Sequence, residues 1–532
     1  MTEPSKAASV YAALRAIAEA DPTRQCLLFE DEVYTYGRLN DDVLRWANAL
    51  RAWGVVRGDR IALYMENCPD FIAAYLGIHL AGGIVVLINT QYRQVELRHI
   101  LNDAGVILCV TDEERREELV RVAADLVALE GVVISDCSDH PIESPEFLSR
   151  NVRERNALDF LNVSLSWDFE LPDTDSIAVI GYTSGTTGRS KGAMLRHSNL
   201  AANALAVVEA WHWTAEDRLL LTLPLFHAHG LFVGVHGTIM AGASAVLRRR
   251  FEAADVFDTL CGGEITMFFG VPTMYSRLIA EARKSDRRPA PLRLYVSGSA
   301  PLAVQTFEEF AELFGQRILE RYGMTETIMN LTNPFEGERR PGTVGGPFPG
   351  QEARMVDLAT RQPINGEDIG EIQVRGPHVF PGYWKNDEAT EEAFDAEGWF
   401  STGDLGWRSG DGYYTISGRA RELIISGGFN IYPREVEEVL MAHPDVADAA
   451  VLGMPDADFG EKVVAIVVPR GSPPDPDELI ALCRDQLASF KKPRQVVFAD
   501  SLPRNAMGKV QKHVLREWLE SRDAVSVLEN LT

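Results

Sequence analysis

The segment YTSGTTGRSKG, Tyr182 to Gly192, holds eight glycine, serine and threonine residues among eleven and carries Lys191 near its end. Glycines let backbone N–H groups crowd around an anion, hydroxyls add donors and the lysine adds charge, so phosphate is the guest this chemistry suits. The spacing is not that of the G-x-x-x-x-G-K-[ST] loop, and a Ser/Thr/Gly run taken alone also reads as a flexible connector. Five other stretches hold groups that could do chemistry. PLFHAHG places His227 and His229 after an apolar run, where a histidine serves either a reaction or a satisfied core. YVSGSAPL, Tyr295 to Leu302, ends an apolar run in a Gly/Ser/Pro turn, the kind of strand end at which α/β sheets present ligand-binding groups. ERYGMTE packs Tyr322, Gly323 and the carboxylates Glu320 and Glu326 into seven residues. STGDLG centres on Asp404 and PRNAMGK ends on Lys509; each alone reads as an ordinary polar turn.

The elements that must hold these residues follow from apolar patterning. RIALYM, VILCV, GVVIS, LLLTLPL, SAVLRR, ITMFFG and LRLYVSG alternate with helical patterns, a rhythm that predicts doubly wound parallel sheets flanked by helices. SIAVIGY, just before the Ser/Thr/Gly loop, reads as a buried strand. GAML after it reads as a second strand, and HSNLAANALAVVEA as a helix capped near Ser198 or Asn199. After about residue 340 the texture turns to glycine, proline and short strands, which predicts an antiparallel, barrel-like piece. After Arg421 the pattern is that of a compact α+β domain, and the polar turn SGRARE marks the joint. The expected fold class is therefore α/β. A large N-terminal domain, residues 1–418, combines two doubly wound sheets with a distorted β-barrel; a hinge spans 419–421 and a smaller α+β domain spans 422–532.

A length of 532 residues and a formal charge of −25 set bounds. Such a surface repels nucleic-acid backbones and anionic membranes, so neither is expected as a general partner. The six cysteines are scattered with no C-x-x-C pair, which fits a reducing cytoplasm and speaks against a zinc site or a disulfide framework. MTEPSKAASV is polar and no secretory signal is expected. FIAAYLGIHLAGGIVVLI, Phe71 to Ile88, has no formal charge over 18 residues. Gly82 and Gly83 split it, so the expectation is a buried helix, a tight turn and a buried strand rather than a membrane span.

In this order, YTSGTTGRSKG, SGSAP, ERYGMTE, STGDLG, SGRARELIISGGFNIYPREVE and LPRNAMGK resemble the signature set of the adenylate-forming superfamily. That superfamily includes acyl-CoA synthetases, the adenylation domains of peptide synthetases and firefly luciferase. The resemblance implies a two-step reaction using ATP, Mg2+ and coenzyme A. A carboxylate attacks the α-phosphorus of ATP, releasing pyrophosphate, and a thiol then displaces AMP from the acyl-adenylate. It implies that Thr183, Ser184, Gly185, Thr186, Thr187 and Gly188 wrap the pyrophosphate while Lys191 adds charge, since phosphoryl chemistry needs positioning and electrostatic help. Thr183 and Glu326 are expected near the magnesium, whose hard charge suits oxygen ligands. Ser299, Ala300 and Pro301 are expected along the adenine slot. Glu320, Arg321, Gly323, Met324 and Thr325 are expected around Tyr322, which stacks on the base. Asp404 takes both ribose hydroxyls and Arg419 contacts ribose or phosphate, while His227 gates the acyl pocket. Lys509 bridges carboxylate and α-phosphate in the adenylation pose only. The small, mobile domain then swings about Arg421, and Gly427 and Gly428 help form the pantetheine tunnel. Relatives commonly carry Asp or Lys at the hinge; Arg421 keeps the cation with a wider fork.

PLFHAHGLFVG, ERYGMTETIMNLTNPFEGERRPGTVG and LPRNAMGKVQKHVLREW resemble malonyl-CoA synthetases in particular. A malonate pocket must offer the second carboxylate a cation, because an unpaired buried charge is costly. Arg277 in GVPTMYSRL is the expected cation, supported by Ser297 or Ser299, with Met324 and Ile328 beside the acid. Ile328 stands where malonate relatives often carry a polar residue, which favours a less polar acid. The alternatives are a ligase for a medium-chain, cyclic or aromatic monocarboxylate, and an adenylating enzyme that passes its acyl group to an amine or a carrier protein. A non-catalytic nucleotide sensor has no need of Lys509, Glu326 and Asp404 together. Coenzyme A phosphates are expected on Arg248, Arg249 and Arg250, or else on Lys491, Lys492 and Arg494. The protein is expected to be cytoplasmic, as a monomer or homodimer.

Overall fold

In the computed structural model the described residues are 9–135, 152–183, 190–364, 366–427, 429–456, 458–505 and 508–529. Ser184, Gly185, Thr186, Thr187, Gly188 and Gly428 lie outside them. An eight-stranded sheet runs in the order Gly382–Tyr383, Lys191–Arg196, Ile177–Thr183, Ile84–Leu87, Arg60–Tyr64, Leu108–Thr111, Gly131–Ile134, Arg153–Asn156. Lys191–Arg196 pairs antiparallel with both its neighbours, and the remaining pairings are parallel. A nine-stranded sheet has a parallel centre of Ser244–Leu247, Arg218–Leu221, Met267–Gly270, Leu294–Ser297 and Leu319–Tyr322. These near-continuous Val/Ile/Leu/Phe runs are what a sheet covered on both faces requires. The expected fold class holds: two doubly wound sheets, an antiparallel five-stranded sheet and a smaller α+β part.

The largest hydrophobic core draws on both big sheets and the helices between them, including Trp46, Tyr75, Leu200 and Phe232. Phe71 to Ile88 folds as expected into the helix Pro69–Leu80, a turn and the strand Ile84–Leu87. The helix is apolar all round because it is buried all round. Gly77 lets it press on the helix Tyr36–Trp53, since a Cβ there would lie 2.5 Å from Trp46 Cβ. Among the described residues no helix is long and apolar enough to cross a membrane. Cys26, Cys109, Cys261 and Cys483 are free, but Cys68 is disulfide-bonded, which departs from the reading of uniformly reduced thiols.

The antiparallel sheet, including Gly370–Arg375, Phe400–Arg408 and Tyr414–Arg419, is the barrel-like piece. Through the short turn Ala420–Glu422 the chain then enters a last sheet built on Val446–Asp456 and Gly460–Pro469. That sheet has hydrophobic cores of its own, around Val451 and Ala465 on one face and Leu452 and Ile466 on the other. Among the described residues it meets the rest of the chain at several points, two of which are these. Arg470 Nη2 donates to Gln305 Oε1 at 3.4 Å. Gly508 abuts Thr273, whose Oγ1 would lie 3.0 Å from a Cβ at 508.

Candidate active site

Pairing of Phe400–Arg408 with Tyr414–Arg419 sets Asp404 opposite Arg419, and Arg419 Nε lies 2.6 Å from Asp404 Oδ1. Tyr322, the last residue of the strand Leu319–Tyr322, donates its hydroxyl to Asp404 Oδ2 at 2.5 Å. Each oxygen of this buried carboxylate is thus engaged once, and a carboxylate has about four acceptor positions, so both can still accept from a diol. Lys509 is half-buried, and its ammonium feels the charges of Arg419, Glu422, Asp404 and Arg421. Burial, then Arg419, push it below the ordinary lysine range. Its loop is held locally. Lys509 N–H donates to Asn505 Oδ1 at 3.0 Å, and Asn505 N–H donates to Lys509 O at 2.9 Å.

A second group joins the two large sheets. Thr183 and Lys191 face each other across paired strands, and Thr183 Oγ1 donates to Lys191 O at 3.4 Å. The Lys191 ammonium lies 5.4 Å from the centre of the Tyr383 ring, and Tyr383 donates its hydroxyl to Glu326 Oε1 at 3.1 Å. Burial raises the Glu326 carboxyl above its ordinary value. Thr325 fits against Gly181, where a Cβ would come within 2.7 Å of its methyl group. Tyr383 carried no signal in the sequence; its role follows only from where the PGYW turn packs. The same is true of His99 and Asp103, four apart on the helix Gln94–Ala104. Tyr182 donates its hydroxyl to Asp103 at 2.5 Å and His99 Nε2 lies 2.9 Å from Ser190 O, so one helix face braces the residues on either side of the Ser/Thr/Gly loop.

A third group lies at the C-terminal ends of the strands Met267–Gly270, Leu294–Ser297 and Leu319–Tyr322, where such sheets bind ligands. His229 is fully buried and stacks on Phe269 with ring centres 6.2 Å apart. Its Nδ1 lies 3.4 Å from Ser299 Oγ, and Ser299 takes the left-handed backbone form at φ 69. Burial, with Arg321 adding to it, holds His227 down at about 4 and His229 well below the usual range, so both are neutral at pH 7. Arg321 is 3 % exposed, and burial pushes it down to about 9. Among the described residues its Nε and Nη2 have no hydrogen-bond partner, and neither does the buried Ser297 Oγ. Glu320 does not pair with it, because strand alternation turns the two apart and Glu320 Oε1 accepts from Leu302 N–H at 2.9 Å. The guanidinium lies against Gly298: a Cβ there would stand 2.4 Å from Arg321 Cζ.

Other expected residues fall elsewhere. Arg277 is exposed on the helix Pro272–Lys284, one turn beyond the Thr273 that touches Gly508, so it lies toward the seam rather than inside the pocket wall. Ile328 is fully buried in the main core at φ 61, and its carbonyl fills the space beside Gly323, where a Cβ would lie only 1.9 Å away. Its apolar character thus has a packing cause. Met324 O accepts from Ile328 N–H at 2.7 Å; Ala300 is half-buried and Pro301 exposed. Gly427 takes φ 58 on the solvent side, against Phe459. Arg248, Arg249 and Arg250 are paired with Asp255, Glu30 and Glu252 at 2.9, 2.8 and 2.9 Å. Lys491 pairs with Glu435 at 2.6 Å, whereas among the described residues Lys492 meets only the Ser489 carbonyl, and Arg494 lies over the Phe459 ring at 3.6 Å.

The AMP-binding enzyme family matches residues 14–384, and the AMP-binding enzyme C-terminal domain matches 435–509. The chain is an AMP-binding enzyme. Malonate–CoA ligase of Arabidopsis thaliana is 33% identical over 97% of this chain and 89% of that one. ATP-bound MatB from Rhodopseudomonas palustris is 39% identical over 96% of this chain and 98% of that one, with a TM-score of 0.86. The apo form of the same MatB, at equal identity and coverage, reaches only 0.76. The chain is thus more similar to the ATP-bound form of that MatB than to its apo form. The o-succinylbenzoate CoA synthetase MenE from Bacillus subtilis, in complex with ATP and magnesium ion, is 31% identical over 96% of this chain and 99% of that one, with a TM-score of 0.81. Among the described residues no cluster of three or more His, Cys, Asp or Glu could hold a metal alone. A magnesium ion that arrives with phosphate oxygens needs few protein ligands, and the hard oxygens of Glu326 and Thr183 fit it.

Proposed function

We propose that this enzyme joins malonate, or another dicarboxylate of similar size, to coenzyme A. The reaction class is AMP-forming acid–CoA ligation: the acid displaces pyrophosphate from ATP, and the coenzyme A thiol then displaces AMP. The observation that carries malonate is Arg321. A buried guanidinium with two unpartnered nitrogens costs on the order of several kcal/mol unless an anion meets it. A fatty or aromatic acid spends its one carboxylate on phosphorus; malonate brings a second. Ser297 and Ser299 can add donors to it, and the neutral imidazoles of His227 and His229 do not compete as cations. Similarity to malonate–CoA ligase supports the same reading. The monocarboxylate alternative leaned on Ile328, whose side chain belongs to the core.

In this reading Asp404, Tyr322 and Arg419 orient the nucleoside. Lys191 and Thr183 favour the departing pyrophosphate, and Lys509 draws carboxylate and α-phosphate together. Glu326 and Thr183 would hold magnesium, which would supply charge neutralisation on the phosphates. The chain divides functionally at a hinge over 419–421. A cytoplasmic setting fits the need for ATP and coenzyme A.

Pyrophosphate release across malonate, methylmalonate, butyrate and benzoate tests the substrate. The expected result is a malonate kcat/KM at least about 30-fold above that for butyrate, the low end for one desolvated charge pair. Equal or better use of butyrate or benzoate sinks the assignment. Gly298→Ala forces the guanidinium off its seat, so it should cost malonate roughly tenfold or more in kcat/KM while altering butyrate little. For coenzyme A, the cations that have no ion-pair partner among the described residues are the better candidates. Lys492→Glu with Arg494→Glu should raise the KM for coenzyme A about tenfold or more and leave that for ATP unchanged. Reversing Arg248, Arg249 and Arg250, each already neutralised by a carboxylate, should leave the coenzyme A KM in place.

A further inference from the structure

Asp404 stands on an irregularity of the antiparallel sheet. Between the paired strands Gly370–Arg375 and Phe400–Arg408, Glu371 faces Leu405 and Gln373 faces Ser401, so Ile372 alone stands opposite Thr402, Gly403 and Asp404. A bulge of this kind re-aims a side chain and leaves backbone groups without ladder partners, and a buried N–H left unpaired is costly. Side chains meet that need here. Gly403, in the left-handed form at φ 69, donates its N–H to Glu371 Oε1 at 2.9 Å. Thr402 Oγ1 donates to the Ile372 carbonyl at 2.7 Å and accepts from Asp404 N–H at 3.1 Å. Arg361 Nη1 pairs with Glu371 Oε2, and Arg361 Nη2 donates to Ser401 Oγ at 2.8 Å, so one guanidinium ties both strands at the edge of the bulge. Glu371, Thr402 and Asp404 are buried, whereas the Arg361 side chain is 45% exposed.

On one side the strand Tyr414–Arg419 pairs with Asp404 and brings Arg419 to its carboxylate. On the other side the ladder is interrupted, and the hydrogen bonds of Glu371 and Thr402 hold the segment that carries Asp404. We propose that Glu371, braced by Arg361, is a positioning residue of the nucleotide site: by anchoring Gly403 it fixes where Asp404 stands, and so sets how strongly the enzyme prefers a nucleotide with both ribose hydroxyls. Good O–H···O bonds occupy a window of about 0.5 Å, so a carboxylate that is to accept from two neighbouring hydroxyls tolerates little drift of its backbone. Glu371 acts through Gly403 rather than on the nucleotide itself. The inference rests on reading Asp404 as the acceptor of the ribose hydroxyls.

The test is initial-rate pyrophosphate release on the full chain with ATP, 2′-deoxy-ATP and 3′-deoxy-ATP, using the best acid of the substrate screen. The unaltered protein should prefer ATP over each deoxy form by about tenfold or more in kcat/KM, the low end for a hydrogen bond to a charged group. Glu371→Ala should narrow that preference to within about threefold, by raising the KM for ATP while the KM for the acid stays in place. A merely structural defect lowers all three nucleotides alike and keeps their ratio. A preference retained in Glu371→Ala overturns the inference. Should Glu371→Ala fail to fold, Arg361→Met, at a half-exposed residue, takes its place under the same criterion. Asp404→Ala, read by the binding of AMP against 3′-deoxy-AMP so that lost turnover does not hide the answer, separates the two readings. Equal use of the three nucleotides by the unaltered protein, or a preference kept in Asp404→Ala, overturns the role of Asp404 and this inference with it. A preference lost in Asp404→Ala but kept in Glu371→Ala overturns this inference alone.

Discussion

Lys509→Ala is expected to lose acyl-adenylate formation by about 10²–10³-fold or more, the usual cost of removing one preorganised charge or donor from a transition state. The same variant should convert supplied acyl-adenylate and coenzyme A to thioester at close to the unaltered rate. The asymmetry follows from placement. The charges of Asp404 and Arg419 act on the ammonium, and the chain is more similar to an ATP-bound relative than to the apo form of that relative, which supports the proposal that its chemistry belongs to the ATP-dependent half. Acetylation of Lys509 should have the same effect, because it removes the charge. Single-turnover measurement of each half-reaction decides the matter, and equal loss in both would refute the domain swing.

Arg321→Met should cut kcat/KM for malonate by roughly 30-fold to several thousand-fold, the equivalent of about 2–5 kcal/mol for truncating one partner of a desolvated charge pair. Butyrate turnover should be spared or improved, since methionine fills similar space without a charge. Stability supplies an independent reading. The guanidinium is buried with two nitrogens unpartnered, so replacing it by an apolar side chain should leave Tm unchanged or raise it. Added malonate should raise the Tm of the unaltered protein and not that of the variant. Arg277→Ala is the comparison: an exposed arginine at the seam should cost malonate less than about tenfold. Should Arg321→Met harm malonate and butyrate alike, the buried cation is structural and the dicarboxylate assignment loses its basis.

Local pattern was enough for whatever depends on local pattern. Continuous apolar runs such as SIAVIGY and LRLYVSG became buried strands because a sheet covered on both faces leaves no polar alternation to confuse the reading. Gly82 and Gly83 split Phe71 to Ile88 into helix and strand because only a tight turn accommodates φ near +85 at Gly82. The order of Thr183, Tyr322, Asp404 and Lys509 along the chain was likewise legible, since backbone-rich loops and strand ends carry their chemistry in short motifs. Contacts between residues far apart in the chain were not legible. Arg277 and Arg321 are both arginines in plausible surroundings, and only packing shows one exposed on a helix and the other sealed against Gly298. The triple arginine at 248–250 read as a cationic patch until Asp255, Glu30 and Glu252 were found beside it, one of them more than 200 residues away. Ile328 read as a pocket residue and proved to be core. Burial and pairing of charge depend on what the rest of the chain brings to a point in space, and a linear pattern holds no record of that; this is why the sequence by itself determined the fold class and reaction type, and the tertiary structure decided which cation is exposed and which is buried without a partner among the described residues.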